Sequence, residues 1–297
     1  MKEFPRASAP SLKKNTNPKK PTTPALYAPP FREGLGVAPI MSVSPKARIG
    51  QNVEIKPFVY IEDDVEIGDN CVIMPGVSIL NGTRIGSGNT IYQNAVIGAV
   101  PQDFHVPAGQ ACRVIIGNDN IIRENVVIAG GYREGRWTEI DSHVHLMDRV
   151  HICHDVHLHD DAVLGIGVSV AGDCTIGKGA IISSAAILQQ HVRIGRYALV
   201  QSACCVQKDI PPFVIIGDSP AAYHGIYAKP LEQQLHVDEA TMKQIINAYR
   251  IVYTGNFSIE DAVARIKEQH SESPEIQSII KFIETAQYGI CRNIRKE

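Results

Sequence analysis

The chain has 297 residues, with 29 Lys and Arg against 31 Asp and Glu, for a formal charge of −2. That length leaves room for one large domain plus an appendage, and the balance of charge excludes a globally basic binder of nucleic acid or membrane surface. No apolar run reaches membrane-spanning length and no signal-peptide core is present; with seven cysteines, an odd count, a reduced cytoplasmic protein without structural disulfides is expected.

Seven of the 18 prolines fall in the first 30 residues, beside Lys13, Lys14, Lys19 and Lys20. So little apolar content cannot offset the entropy of ordering, and residues 1–36 are expected to be a disordered arm.

Residues 37–224 carry a period of six. From Ile49 every sixth residue is isoleucine as far as Ile97; the rhythm returns at Ile116, Ile122 and Ile128, then runs from Ile140 to Val206 through Leu146, Ile152, Leu158, Leu164 and Val170. Two positions earlier sits a small or β-branched residue, among them Val53, Cys71, Val77, Ala162, Cys174 and Cys204. Neither a helix at 3.6 nor a plain strand at 2 has this period; it is the hexapeptide signature of a parallel β-helix. Three faces make a coil, residues 18 apart stack at about 4.8 Å, and eight coils make a prism roughly 38 Å long. Gly50, Gly68, Gly86, Gly117, Gly177 and Gly195 follow the aliphatic position, and corners that need positive φ are the expected reason. Two insertions, 98–114 and 129–139, interrupt the prism; the first breaks the phase and the second keeps it. Loops thrown off a rigid solenoid usually line its functional surface.

Six of the 11 histidines lie between 143 and 159. His145, His151 and His157 each precede an interior aliphatic, so they point from three successive faces and cannot meet at a zinc ion within one chain. No metal is expected, although zinc held between subunits is a competing class. His154 and Asp155 face outward, and the columns above them are Gly172, Gln190 and Asp173, His191. A carboxylate beside an imidazole fixes its tautomer and suits a general base, while Gly172 exposes an amide suited to an oxyanion. A solvated polar ladder is the plain alternative.

Residues 225–297 switch to helical spacing. Met242, Ile245, Ile246, Tyr249, Val252 and Tyr253 form an apolar stripe that Gly255 ends. Ser258 with Asp261 and Ser273-Pro274 are helix starts. The expected whole is an all-β solenoid plus α, with a C-terminal α-helical domain at 225–297.

The strings IYQNAVIG–PQDF, IIGNDNIIRENVVI, HICHD, AGDCTIG and DIPPFVIIGDSP resemble the acyl carrier protein-dependent UDP-N-acetylglucosamine O-acyltransferases of lipid A synthesis, the LpxA family. The QDF loop, HxxHD and DxPP are far more specific than the hexapeptides. The resemblance implies a left-handed β-helix, a cytoplasmic homotrimer, and acyl transfer from acyl carrier protein to the sugar 3-position without a cofactor, the phosphopantetheine-borne acyl chain being a co-substrate. It implies His154 as base, Asp155 as its support and Gly172 as oxyanion donor. Asp103, His151, Asp173 and Gln190 match positions near the sugar nucleotide, and Ser202 matches a ruler of acyl length. No glycine fingerprint or P-loop occurs, so a nucleotide is expected only as substrate.

Some residues depart from the family. Asp173 stands where many relatives have His, so two carboxylates would stack and one pKa should rise; Asp173→His is then expected to be tolerated. Ala129-Gly130-Gly131 replaces His-Arg-Gly, and Tyr227 and Gln233 replace Asn and Arg. These departures leave open an N-acyltransferase acting on a different amino-sugar nucleotide. A lone prism would present His154 on a flat outer face, so the site is expected to lie in a groove between subunits. Whether Asp103 serves its own chain's His154 or a neighbour's stays open.

Overall fold

A computed structural model of the chain describes residues 41–107, 109–269 and 273–292. The arm expected at 1–36 lies outside the described residues. The prism is a parallel solenoid whose three faces, called here A, B and C, hold nine, eight and ten strands among the described residues. Face A runs from Ser42–Val43 to Cys205–Val206, face B from Arg48–Ile49 to Arg193–Ile194, and face C from Glu54–Ile55 to Val214–Gly217 and the antiparallel Ala222–Ile226. Beyond the strands ending in the periodic aliphatics, the structure adds Ser42–Val43, Val214–Gly217 and Ala222–Ile226.

The interior is the aliphatic column. Ile61, Ile73, Ile79, Ile91, Ile97, Ile128, Leu146 and Ile152 are each at most 1% exposed, and a fully buried side chain of this size contributes about 1.5–3 kcal/mol. Coils register 18 residues apart where nothing is inserted, as in Arg48↔Glu66 and Glu54↔Val72, until the last coil, where Leu199 pairs with Ile215, 16 positions on. Thr83 pairs with Val114, 31 positions on, and Val114 with Thr138, 24 positions on. Only the second interval is a multiple of six, so the first insertion shifts the phase and the second preserves it.

The glycine expectation is corrected. Gly50, Gly68, Gly86, Gly117, Gly177 and Gly195 are not among the positive-φ residues. They stack on the next coil so closely that a Cβ at Gly68 would lie 2.7 Å from the carbonyl carbon of Gly86. Side chains are absent there for want of space. The left-handed corner conformation falls two residues later, at Asn52, Asn70 and Asp119, and also at the corners of Asn125, Asp155, Asp173 and His191. Asn and Asp tolerate it better than other side-chain-bearing residues.

Among the described residues the tail has four helices: α1 Ala228–Gln233, α2 Glu239–Thr254, α3 Ile259–Gln269 and α4 Pro274–Glu284. Asp238 and Ser273 cap α2 and α4, and Ser258 accepts from the Asp261 amide at 3.0 Å. The α2 stripe differs from expectation at Ile246, which is 50% exposed, while Ala248 and Ile251 are buried. Prism and tail form one compact unit. Arg193 ties them: its Nε donates to Asp209 at 2.7 Å and its guanidinium also reaches the Phe282 carbonyl at 3.1 Å.

None of the seven cysteines is joined in a disulfide. Burial pushes the Cys174 and Cys204 thiols up to about 12, so they fill space as small apolar groups. No helix among the described residues is long and apolar enough to cross a membrane.

Candidate active site

The chain leaves face A after His151–Ile152, turns through Cys153, His154 and Asp155, and enters face B at His157–Leu158. Asp155 sits in the left-handed region at φ 58°, and its amide donates to Thr138 Oγ1 at 3.0 Å. That turn aims its carboxylate back at His154, whose Nδ1 lies 2.8 Å from Asp155 Oδ2. An ionised carboxylate only accepts, so Nδ1 carries the proton and Nε2 of the neutral ring keeps its lone pair.

His154 and Asp155 are 6% and 4% exposed, which corrects the flat outer face expected from periodicity. Both insertions of the same chain fold over the corner. The Tyr132 amide donates to Asp155 Oδ1 at 3.2 Å, and the Tyr132 ring meets the His154 ring edge-on with centroids 5.0 Å apart. The Tyr132 hydroxyl donates to Asp103 Oδ2 at 2.9 Å, and the same oxygen lies 3.4 Å from His154 Nε2. Asp103 and His154 therefore meet within one chain. Hydrogen bonds from the His105 amide first, then from the His105 ring and Tyr132, hold the Asp103 carboxyl below the usual range. It stays anionic beside Nε2.

The double glycine at 130–131 makes this closure possible. Gly131 and Arg113 exchange two backbone hydrogen bonds of 2.9 Å, and a Cβ on Gly131 would come within 2.5 Å of Trp137. Gly130, which departs from the Arg of His-Arg-Gly, likewise leaves room for the first insertion: a Cβ there would lie 2.6 Å from the Cys112 Cβ. Gly172 has a similar reason: a Cβ there would lie 2.5 Å from His154 Cε1. The imidazole rests on bare backbone, and the Gly172 amide has no acceptor among the described residues.

Gln102, Asp103, Phe104, His105, Tyr132, Arg133, His154, Gly172 and Gln190 line one cavity. Of the residues singled out in the sequence, His154, Gly172, Asp103 and Gln190 converge there, with Asp155 directly behind. Asp173 lies in an adjoining cavity with Arg136, His191 and Tyr288, and Arg133 borders both. His151 faces out from face A, in register with Val127 and Ser169, and burial lowers its pKa. Ser202 lies in the turn leading from face C to face A, across face A from the His154 edge. One chain does not bring these two to the cavity.

The bare like-charge pair at Asp155 and Asp173 is also corrected. Asp173 is ion-paired with both Arg133 and Arg136, and His191 Nδ1 lies 3.2 Å from it. The same Arg133 reaches within 3.7 Å of Asp155. Burial, then Arg133 and Arg136, lower the His191 pKa. Tyr132, Arg133 and Arg136 were not singled out in the sequence. The signal available was the 24-residue register, which sets the second insertion beside the coil of Asp155.

The chain matches two family profiles: "Udp N-acetylglucosamine O-acyltransferase; Domain 2" over residues 209–291, and "Bacterial transferase hexapeptide (six repeats)" over 46–79 and 66–99. It is 38% identical over 257 residues to an acyl-[acyl-carrier-protein]–UDP-N-acetylglucosamine O-acyltransferase of Halorhodospira halophila, covering 86% of this chain and 99% of that one. The crystal structure of LpxA, a UDP-N-acetylglucosamine acyltransferase from Bacteroides fragilis, superposes with a TM-score of 0.81 at 39% identity, covering 88% of this chain and 100% of that one. The UDP-N-acetylglucosamine acyltransferase of Francisella novicida gives 0.82 at 31% identity, covering 86% and 93%.

The arginine pairing reverses the expectation for Asp173→His. The substitution replaces an anion facing two guanidiniums, partly exposed at 38% and 54%, and should loosen the second insertion by about 1–2 kcal/mol after solvent screening. Hydrogen–deuterium exchange should then be roughly tenfold faster at 130–137. Unchanged protection there would show that Asp173 does not hold the loop.

Proposed function

We propose, from the premise that this chain belongs to the acyl-[acyl-carrier-protein]–UDP-N-acetylglucosamine O-acyltransferase family, that it moves an acyl chain from acyl carrier protein to the 3-hydroxyl of UDP-N-acetylglucosamine with His154 as general base. The observation that carries the assignment of residues is the His154 ring. Asp155 holds its Nδ1 at 2.8 Å, while its other edge lines a cavity with Asp103, Gly172 and Gln190.

The chemistry follows from that geometry. The sugar hydroxyl donates to Nε2 and attacks the thioester carbonyl as its proton passes to His154. Asp155 stabilises the imidazolium that forms. The oxyanion accepts from the Gly172 amide, which is available and lies directly under the ring. Collapse breaks the C–S bond, and the imidazolium returns the proton to the departing phosphopantetheine sulfur. Asp103 and Gln190 bind sugar hydroxyls in the same cavity. No cofactor takes part; the acyl-phosphopantetheine is a co-substrate. Both substrates place the enzyme in the cytoplasm.

A homotrimer completes the site. Face C presents Val72, Ile121, Val163, Ile181 and Leu199 outward along one column, interrupted by Thr90 and His145. Face B instead presents Arg48, Glu66 and Arg84, paired with one another. A mostly aliphatic column beside a charged one supports burial of the first against a second copy. In such a trimer His151 and Ser202 of one chain line the groove beside another chain's His154, with Ser202 limiting acyl length. A second reading, transfer to a 3-amine, is favoured by Asp173: two arginines hold a carboxylate in place of the histidine common among relatives.

The test is mass spectrometry of products from acyl carrier protein thioesters offered with UDP-N-acetylglucosamine and with its 3-amino analogue. One acyl group on the 3-oxygen supports the proposal, acylation of the amine alone supports the second reading, and no product with either contradicts both. His154→Ala should slow transfer about 10²–10⁴-fold while light scattering still reads three chains. Activity within a few-fold of wild type would remove His154 from the base role.

A further inference from the structure

His145, His151 and His157 lie one coil face apart and point away from one another. Two positions apart on a strand share a face, and His157 and His159 do so on face B, with ring centroids 4.0 Å apart. One coil earlier, Glu139 is in register with His157, and Asp141 lies beside His159, its amide bonded to the Leu158 carbonyl at 2.8 Å. The result is a tile of two carboxylates against two imidazoles. His157 Nε2 and His159 Nδ1 are each 3.0 Å from a different oxygen of Asp141, and Glu139 Oε2 is 3.8 Å from His157 Nε2.

We propose that Asp141, His157 and His159, with Glu139 closing the fourth side, form a binding site for one divalent cation of the zinc, nickel or copper class. Three observations carry this. One ligand atom from each of Asp141, His157 and His159 lies within 4.8 Å of the others. A tetrahedral ion with bonds of about 2.0–2.1 Å needs ligand atoms about 3.3 Å apart, so small side-chain rotations bring them into place. The charge is also unbalanced. The recorded ion-pair partners of Asp141 and Glu139 among the described residues are these histidines, so with neutral imidazoles the tile carries two negative charges that one divalent ion neutralises. Elsewhere on face B, Glu66 is matched by Arg48 and Arg84. Finally, the tile is open to an ion: coil neighbours on the Asp141–His159 column are Gly117 and Gly177, and Thr175 follows His157, so no long cationic side chain sits above or below.

Mixed imidazole and carboxylate donors select borderline transition metals over Mg²⁺ or Ca²⁺. The site is separate from the His154 cavity, since none of its four residues lines that cavity. It shares a strand with it, because Thr138–Ile140 carries both Glu139 and the Thr138 hydroxyl that accepts from the Asp155 amide. A bound ion would brace this pair of coils next to the catalytic corner without touching substrate.

Isothermal titration of Zn²⁺ into the untagged, EDTA-stripped full-length chain tests this. One Zn²⁺ per chain is expected, with no heat from Mg²⁺. His157→Ala/His159→Ala should abolish binding, and Asp141→Asn, which keeps the side chain's size, should weaken it about tenfold or more. Visible absorption of the Co²⁺-loaded chain should vanish in the double variant, and acyl transfer should persist in it. Should the double variant fail to fold, Asp141→Asn alone decides. No saturable Zn²⁺ binding by wild type, or wild-type affinity in a folded variant, overturns the site.

Discussion

Everything in this protein depends on the requirement that each coil stack directly on the last. Interior positions must match in size from coil to coil, because each aliphatic packs against its neighbours 18 residues away and no side chain can avoid that contact. Where backbones approach most closely even a Cβ is excluded, as at Gly68 against Gly86. The same stacking turns linear spacing into position on the surface. A residue's function then rests on which column it occupies, and on what stands one coil above or below it.

At the His154 corner that constraint does three things. It puts Asp155 in a left-handed turn that directs its carboxylate to Nδ1, it lays the imidazole on the bare backbone of Gly172, and it holds Gln190 in the next coil of the same column. The insertions then add what a rigid prism cannot: a cover. Tyr132 packs on the ring and binds Asp103, while Arg133 and Arg136 close on Asp173. Removing water from around His154 and its carboxylate strengthens every electrostatic interaction at the site. Buried acidic residues are tolerable there because guanidiniums come with the loop.

The interior of the prism was legible in the sequence because burial enforces the period of six at every coil. Helix starts at Ser258 and Ser273 were legible because capping needs a particular side chain at a particular place. The convergence of His154, Gly172 and Gln190 followed from the 18-residue column alone. What escaped was set by insertions and by pairs within one face. Tyr132, Arg133 and Arg136 lie in a loop with no period, so nothing marked which way they fold. The column shows Asp173 its carboxylate neighbour but not the arginines that neutralise it. At the corner glycines, spacing alone points to φ where the reason is space, and it places Ile246 in a stripe whose edge the tail leaves exposed.

The central claim is that His154, covered by its own chain's insertions, faces the sugar hydroxyl that accepts the acyl group. A crystal structure of the chain with UDP-N-acetylglucosamine bound tests it most directly. The account predicts the 3-hydroxyl within about 2.6–3.2 Å of His154 Nε2, with the sugar ring against Asp103 and Gln190. A nucleotide sugar seated on another edge of the prism, or held with its 3-hydroxyl turned away from Nε2, would contradict it.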